Sequence, residues 1–309
     1  MVIGIFDYVF GKCYMVNYIK SPLNYTGGKF LLLDKIIPSF PAGVKNFVDL
    51  FAGGMNVSIN TNADTIYVND HIDYLIELYE YFQKTPIQDL MSAINGIIKT
   101  YSLDARNADG YYKLRDDYNK DKTPLKLYVL SCYSFNCLVR FNNDFEFNMP
   151  YGMRRYNPNI ENNLAQFSTA LKSKNIIFSN QDFKDFDFNV LKCGDLIYCD
   201  PPYLITTAAY NDGTRGFGDW TEQEDKALLN ILDQLDARGV YFALSNVLYH
   251  KGNANQYLIN WSSKYTVTHL DKSYSNCNYQ FKDRDTFTDE VLITNYPYAV
   301  SDTSPILLW

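Results

Sequence analysis

At 309 residues with 47% hydrophobic content, the chain can build one large domain or two smaller ones around a proper core. Its net charge of -7 offers no global basic field to a polyanion, although a local basic groove can sit on an acidic body. The six cysteines (Cys13, Cys132, Cys137, Cys193, Cys199, Cys277) form no CxxC pair and the three histidines supply no zinc spacing, so no metal is expected and the thiols read as reduced, in a cytoplasmic protein.

The N-terminal run "MVIGIFDYVFGKCYM" lacks a basic start and carries Asp7, so it fails as a signal peptide. Nowhere does an apolar stretch reach the roughly 18 residues of a membrane span. Met15 stands just before the first motif, and residues 1–14 read as an upstream extension. Next come strand-type apolar runs with helical patterns between them. "NFVDLF" (Asn46–Phe51) ends at glycines, and "TIYVND" (Thr65–Asp70) ends in an acid. "NIIFSNQD" (Asn175–Asp182), "DLIYCD" (Asp195–Asp200) and "GVYFALSN" (Gly239–Asn246) follow, and "YTVTHL" (Tyr265–Leu270) and "EVLITNY" (Glu290–Tyr296) close the set. Helices are expected over Gly28–Ile37, Asp73–Phe82 and Thr221–Arg238, the last opening with Thr221 and Glu224 as a capping box. Strands alternating with helices argue a parallel α/β sheet.

From about Pro86 to Leu171 the alternation lapses into helical patterns and a polar-aromatic stretch. So long an interruption reads as an inserted subdomain. The expected division is an N-terminal extension at 1–22, a core of 23–85 and 172–309, and an insertion at 86–171.

Ligands of open α/β sheets bind at the carboxyl ends of the strands. Here those ends hold Phe51-Ala52-Gly53-Gly54, Asn69-Asp70, Gln181-Asp182 and Asp200. Glycines that admit a ligand to the backbone, and an acid placed for ribose hydroxyls, are parts of a nucleoside site; such turns are also common in other settings. Met55 stands where a further glycine would be expected.

"DPPY" (Asp200–Tyr203) is the discriminating feature. A ring amino nitrogen becomes nucleophilic when both its hydrogens are accepted and its lone pair is freed from the ring. Asp200 supplies one charged acceptor. The Pro201 carbonyl supplies the other, its direction held because Pro202 follows. Tyr203 offers a face for stacking. As positive charge develops on the nitrogen, Asp200 stabilises it.

With these residues the chain resembles the Dam-like DNA adenine methyltransferases of the alpha group over about Leu23 to Tyr296. The resemblance implies a Rossmann-like S-adenosylmethionine-dependent methyltransferase core with a helical target-recognition insertion, and a final strand antiparallel to the rest. It also implies that Tyr25, Gly28 and Lys29 of "YTGGK" bind the cofactor, folded back onto its site. Asp49, Phe51, Gly53 and Gly54 match the glycine motif, Asp70 the ribose acid, Asp182 and Phe183 a pair near the cofactor's adenine, and Asp200 the catalytic acid.

The stretch "FNCLVRFNNDFEFNMPYGMRRY" (Phe135–Tyr156) resembles the family's target-recognition signature, with Cys137 where glycine is usual. Asn136, Arg140, Asn142 and Asn148 offer groups that read base edges and phosphates, and Arg154 and Arg155 suit phosphates. Phe141, Phe147 and Tyr151 offer stacking faces. The interleaved charges of Lys99–Lys126 read as a solvated helical face. Cys199 reads as buried packing rather than a nucleophile. Ser245 and Asn246 are expected to line the pocket of an extruded base.

The expected activity is methyl transfer from S-adenosylmethionine to the adenine amino group in double-stranded DNA, with base flipping. The expected setting is a restriction-modification pair, a cognate endonuclease acting on the same site. Alternatives are a cytosine amino group or RNA adenine as acceptor, or a catalytically silent DNA-binding relative. A nucleotide-dependent oxidoreductase shares the glycine turn and ribose acid but has no use for Asp200–Tyr203.

Overall fold

In the computed structural model the described residues are 6–9, 12–15, 17–206, 220–270 and 288–297. A hairpin of β1 (Phe6–Val9) and β2 (Lys12–Met15) opens the chain. The helix expected over Gly28–Ile37 is broken into a 3-10 turn at Lys29–Leu32, a single α-turn α1 (Leu33–Ile36) and a second 3-10 turn at Ile37–Ser39. The break falls at Leu32, whose φ of -111 and ψ of 0 leave the helical region, and Pro38, with no N–H to give, sits in the closing 3-10 turn while Ile37 before it stays helical.

Next come β3 (Asn46–Asp49), β4 (Thr65–Asn69) and α2 (Asp73–Lys84). Four helices fill the interruption: α3 (Ile87–Thr100), α4 (Ala108–Lys120), α5 (Pro124–Tyr133) and α6 (Pro158–Ser173). The chain returns to the sheet with β5 (Ile176–Ser179) and β6 (Leu196–Cys199), then α7 (Glu222–Ala237) and β7 (Tyr241–His250). A short β8 (Asn253–Ala254), α8 (Gln256–Ser262), β9 (Thr266–His269) and β10 (Thr288–Thr294) follow. All seven strand-type runs of the sequence become strands. The terminal hairpin, β8 and α8 carry no strong periodic signal and were not expected.

The main sheet has the order β5-β4-β3-β6-β7-β10-β9, with β8 beside β7. Strands β3 to β7 pair parallel, whereas β10 runs antiparallel to both neighbours, as the resemblance implied. Strand order reverses between β3 and β6, which creates a crevice at their carboxyl ends.

Each central strand feeds two cores because its side chains alternate between faces. Phe47, Leu196 and Tyr198 join a cluster with α2 and the four inserted helices. Val48, Ile197 and Cys199 join a second with α7 and α8. Helix α5 is buried from Leu127 to Tyr133, the pattern of a helix enclosed on every side. The charges of α4, by contrast, lie outward in surface pairs such as Arg115–Asp116.

Candidate active site

A cleft of about 480 Å³ opens at the carboxyl ends of β3, β4 and β6. Segments far apart in sequence line it: Tyr25–Lys29, Asp49–Gly54, Asn69–Ile72, Gln181–Lys184 and Asp200–Tyr203. The structure therefore brings every expected cofactor and catalytic residue to one place.

The glycine turn after β3 is held from both sides. Asp70 accepts from Gly53 N at 2.7 Å and from Ile72 N at 2.9 Å, while the Tyr79 hydroxyl donates to Gly53 O at 2.6 Å. Asp70 thus shapes the turn, beyond any contact to a ribose. Gly53 has φ +47, and a Cβ there would lie 2.8 Å from Cε1 of Tyr25, so the turn requires glycine. Met55 also adopts a left-handed backbone, with φ 57, but its side chain is fully buried in the core and spares the cleft. The glycine expected here would take this backbone without such strain. The segment before Tyr25 docks through Asn56 and Asn60, which accept from Ser21 N at 3.0 Å and Ile19 N at 2.8 Å.

At the opposite wall, Lys29 is buried and its ammonium lies 2.8 Å from Asp200 Oδ2 and 3.5 Å from Glu290 Oε1. It also donates to Gly27 O at 2.9 Å. The Tyr203 hydroxyl sits between Asp200 Oδ1 at 2.9 Å and Glu290 Oε1 at 3.0 Å. Burial raises the Asp200 carboxyl above the ordinary range, against the pull of Lys29, and Glu290 adds to the rise. Burial also pushes the Tyr203 phenol well above its usual value, so it remains a protonated donor. Sequence reasoning missed Glu290. It lies on the antiparallel strand, and no motif marked it.

Asp49 is buried at the base of the cleft, and its Oδ1 has no hydrogen-bond partner among the described residues. Burial is the main cause that pushes its carboxyl up to about 7, with Asp200 and Asp70 adding to it against the lowering influence of Ser58. On the other side, Phe51, Phe183 and Trp220 meet pairwise at 5.3–5.6 Å between ring centres. Trp220 was also missed, and its position directly before the capping box was the available signal. Its Nε1 donates to Asp225 at 2.7 Å.

The insertion corrects several expectations. Phe141 and Phe147 are 1% exposed and pack on each other and on Tyr118, so neither presents a stacking face. Tyr151 packs against Tyr111 and donates its hydroxyl to Asp104 O. Asn142 is spent on its own turn, accepting from Asp144 N at 3.1 Å and Glu146 N at 2.9 Å. Asn148 accepts from Arg140 Nε at 2.9 Å, which pre-aligns an exposed guanidinium. Asn136, Arg154 and Arg155 are exposed. Ser245 and Asn246 are buried and lie outside the cleft lining; Ser245 pairs with the Tyr198 hydroxyl at 2.8 Å. Cys199 is buried as expected, and burial drives its thiol well above the usual range. The other described cysteines are unpaired too, while Cys13 and Cys277 lie outside the described side chains.

Comparison with known proteins agrees with this geometry. The family model of the D12 class N6 adenine-specific DNA methyltransferases matches residues 25–276. The chain is 48% identical to the type II methyltransferase M.FokI of Planomicrobium okeanokoites, over 93% of this chain and 44% of that protein. It is 46% identical to the modification methylase StsI of Streptococcus sanguinis, over 91% of this chain and 43% of that one. With the DNA adenine methylase of Escherichia coli strain K12 the identity is 28%, over 74% of this chain and 80% of the relative. The chain thus spans less than half the length of the first two relatives.

Proposed function

The chain belongs to the D12 class of N6 adenine-specific DNA methyltransferases, and from that premise we propose that it methylates the amino group of adenine in duplex DNA at a specific site. The observation that carries the reading is the Asp200–Tyr203 corner, whose carboxylate opens into the same cleft as the glycine turn. Asp200 accepts one amino hydrogen and the Pro201 carbonyl the other, with Pro202 holding that carbonyl's direction. The raised carboxyl makes Asp200 a stronger acceptor than an exposed aspartate. As the nitrogen gains positive charge, the anionic cluster around Asp200 stabilises it. Cys199 takes no part, because its thiol is buried and stays protonated.

The methyl donor we assign is S-adenosylmethionine, and the residues fit it. The unpartnered, buried Asp49 Oδ1 suits an ammonium, and the Phe51, Phe183 and Trp220 rings suit a purine. Asp70 is placed for ribose hydroxyls, and Gly53 and Gly54 leave the backbone open. Tyr25, Gly28, Lys29 and Asp182 complete the walls. When bound, the donor supplies a methyl group activated on a sulfonium.

Exposed Arg140, Arg154, Arg155 and Asn136 are assigned to DNA, with Arg140 aligned by Asn148 for bidentate contact. An adenine within the stack cannot reach the cleft, so the base must flip out, at a cost of a few kcal/mol that these contacts offset. A cognate endonuclease for the same site belongs to this reading, since two of the relatives carry the names type II methyltransferase and modification methylase.

The test is transfer of labelled methyl from S-adenosylmethionine to unmethylated duplex DNA, followed by nucleoside digestion and mass identification. Methyladenine is expected, and Asp200→Ala should abolish it with DNA binding retained. Methylcytosine would overturn the acceptor, and an unaffected Asp200→Ala variant would overturn the mechanism.

A further inference from the structure

We propose that Glu290 is a positioning residue for methyl transfer: from behind the cleft it anchors Tyr203 and Lys29 and keeps the group around Asp200 net anionic. The proposal rests on the reading of Asp200 given above. Glu290 is not among the residues that line the cleft, so it acts through the residues it touches and through the charge it adds.

Without Glu290, Lys29 at 2.8 Å would cancel the charge of Asp200. A neutral pair gives little stabilisation to a nitrogen that becomes cationic during transfer. Adding Glu290 at 3.5 Å from the same ammonium leaves two carboxylates to one cation among the described residues. Counted over the described residues, the cluster then carries one net negative charge where positive charge develops. Glu290 also gives Lys29 a second counter-ion, so the ammonium can lean towards it when an amino group approaches Asp200.

The second role concerns Tyr203. Its hydroxyl offers one proton to two carboxylate oxygens, at 2.9 Å and 3.0 Å, and is held between them. With the oxygen end tied down, the ring's orientation beside Asp200 is fixed. The backbone is built to deliver Glu290 there. Strand β10 pairs with both β7 and β9, and opposite the step from Asp289 to Glu290 the extra, unpaired residue is Leu248 of β7, so β10 itself carries Glu290 without interruption. On its other side Glu290 O accepts from Leu270 N at 2.8 Å, pinning the strand. Two partly buried carboxylates near each other are costly, and here Lys29 and the Tyr203 hydroxyl offset that cost.

The experiment compares wild type, Glu290→Gln and Glu290→Ala in methyl transfer to unmethylated duplex DNA, with calorimetric binding of S-adenosylmethionine and melting temperature measured in parallel. Gln keeps the length and a hydrogen-bond acceptor but removes the charge. The expected result is a fall in kcat of tenfold or more for Glu290→Gln and a larger fall for Glu290→Ala. The KM for DNA, cofactor affinity and melting temperature of the Gln variant should stay close to wild type. A Gln variant within twofold of wild-type kcat, or one whose losses lie in KM, cofactor affinity or melting alone, overturns the proposal. A wild type that binds cofactor and DNA yet transfers no methyl overturns the parent reading instead, and this proposal with it.

Discussion

Asp49 illustrates how much one buried carboxylate can decide. An unfolded aspartate titrates near 4, whereas burial holds Asp49 near 7 in the fold. Between those values the folded protein keeps a proton that the unfolded chain has lost. Stability therefore falls as pH rises from about 4 to 7 and levels off above. Asp49→Asn removes this dependence. The variant should gain stability relative to wild type between pH 5 and 8, by about 3 kcal/mol, measured by denaturant unfolding at both pH values. A gap that does not change with pH would show that Asp49 is ionised in the folded state. The same substitution should weaken S-adenosylmethionine binding, because it removes the carboxylate assigned to the ammonium.

Among the elements, α7 ties packing to the cleft. Its buried leucines hold it against β7, and its first turn lines the cleft through Thr221, Gln223 and Glu224. The capping box fixes that turn: Gln223 N donates to Thr221 Oγ1 and Thr221 N to Glu224, each at 3.2 Å. Thr221→Ala should cost about 1 kcal/mol in unfolding free energy. It should also loosen Trp220, the adjacent residue, and so lower cofactor affinity, which calorimetry checks. This box was legible from Thr221 and Glu224 alone, because capping is a local interaction between residues three apart. The helix at Gly28–Ile37 was misread for a related reason. Its pattern was helical, but Leu32 leaves the helical region and divides the run into a 3-10 turn and a single α-turn.

At the scale of the whole molecule, the sheet separates two cores and presents one crevice, while the inserted helices share their core with α2. Phe147 belongs to that shared core, although its sequence setting looked like a base-stacking loop. Phe147→Ala should cost about 3–5 kcal/mol of stability. Arg154→Ala should leave stability unchanged and reduce the salt dependence of DNA binding by about one phosphate contact. Opposite results, a stable Phe147→Ala with weakened DNA binding, would return that ring to the DNA surface.

The sequence by itself determined the strands, the glycine turn and the Asp200–Tyr203 corner. Each is written in neighbouring residues, through alternation, backbone freedom or two adjacent prolines. It also carried Lys29 and Tyr25, although only by resemblance, since a Gly-Gly-Lys before a helix has no distinctive chemistry of its own. Tertiary structure alone decided what meets across the sheet. Glu290 reaches Tyr203 from 87 residues away because β10 inserts antiparallel beside β7, two strands from β6. Phe141 and Phe147 face inward because the inserted helices close over them, and Ser245 turns to Tyr198 because β7 lies beside β6. Local patterns encode conformation, while the partner of a side chain depends on which distant strands the fold makes neighbours.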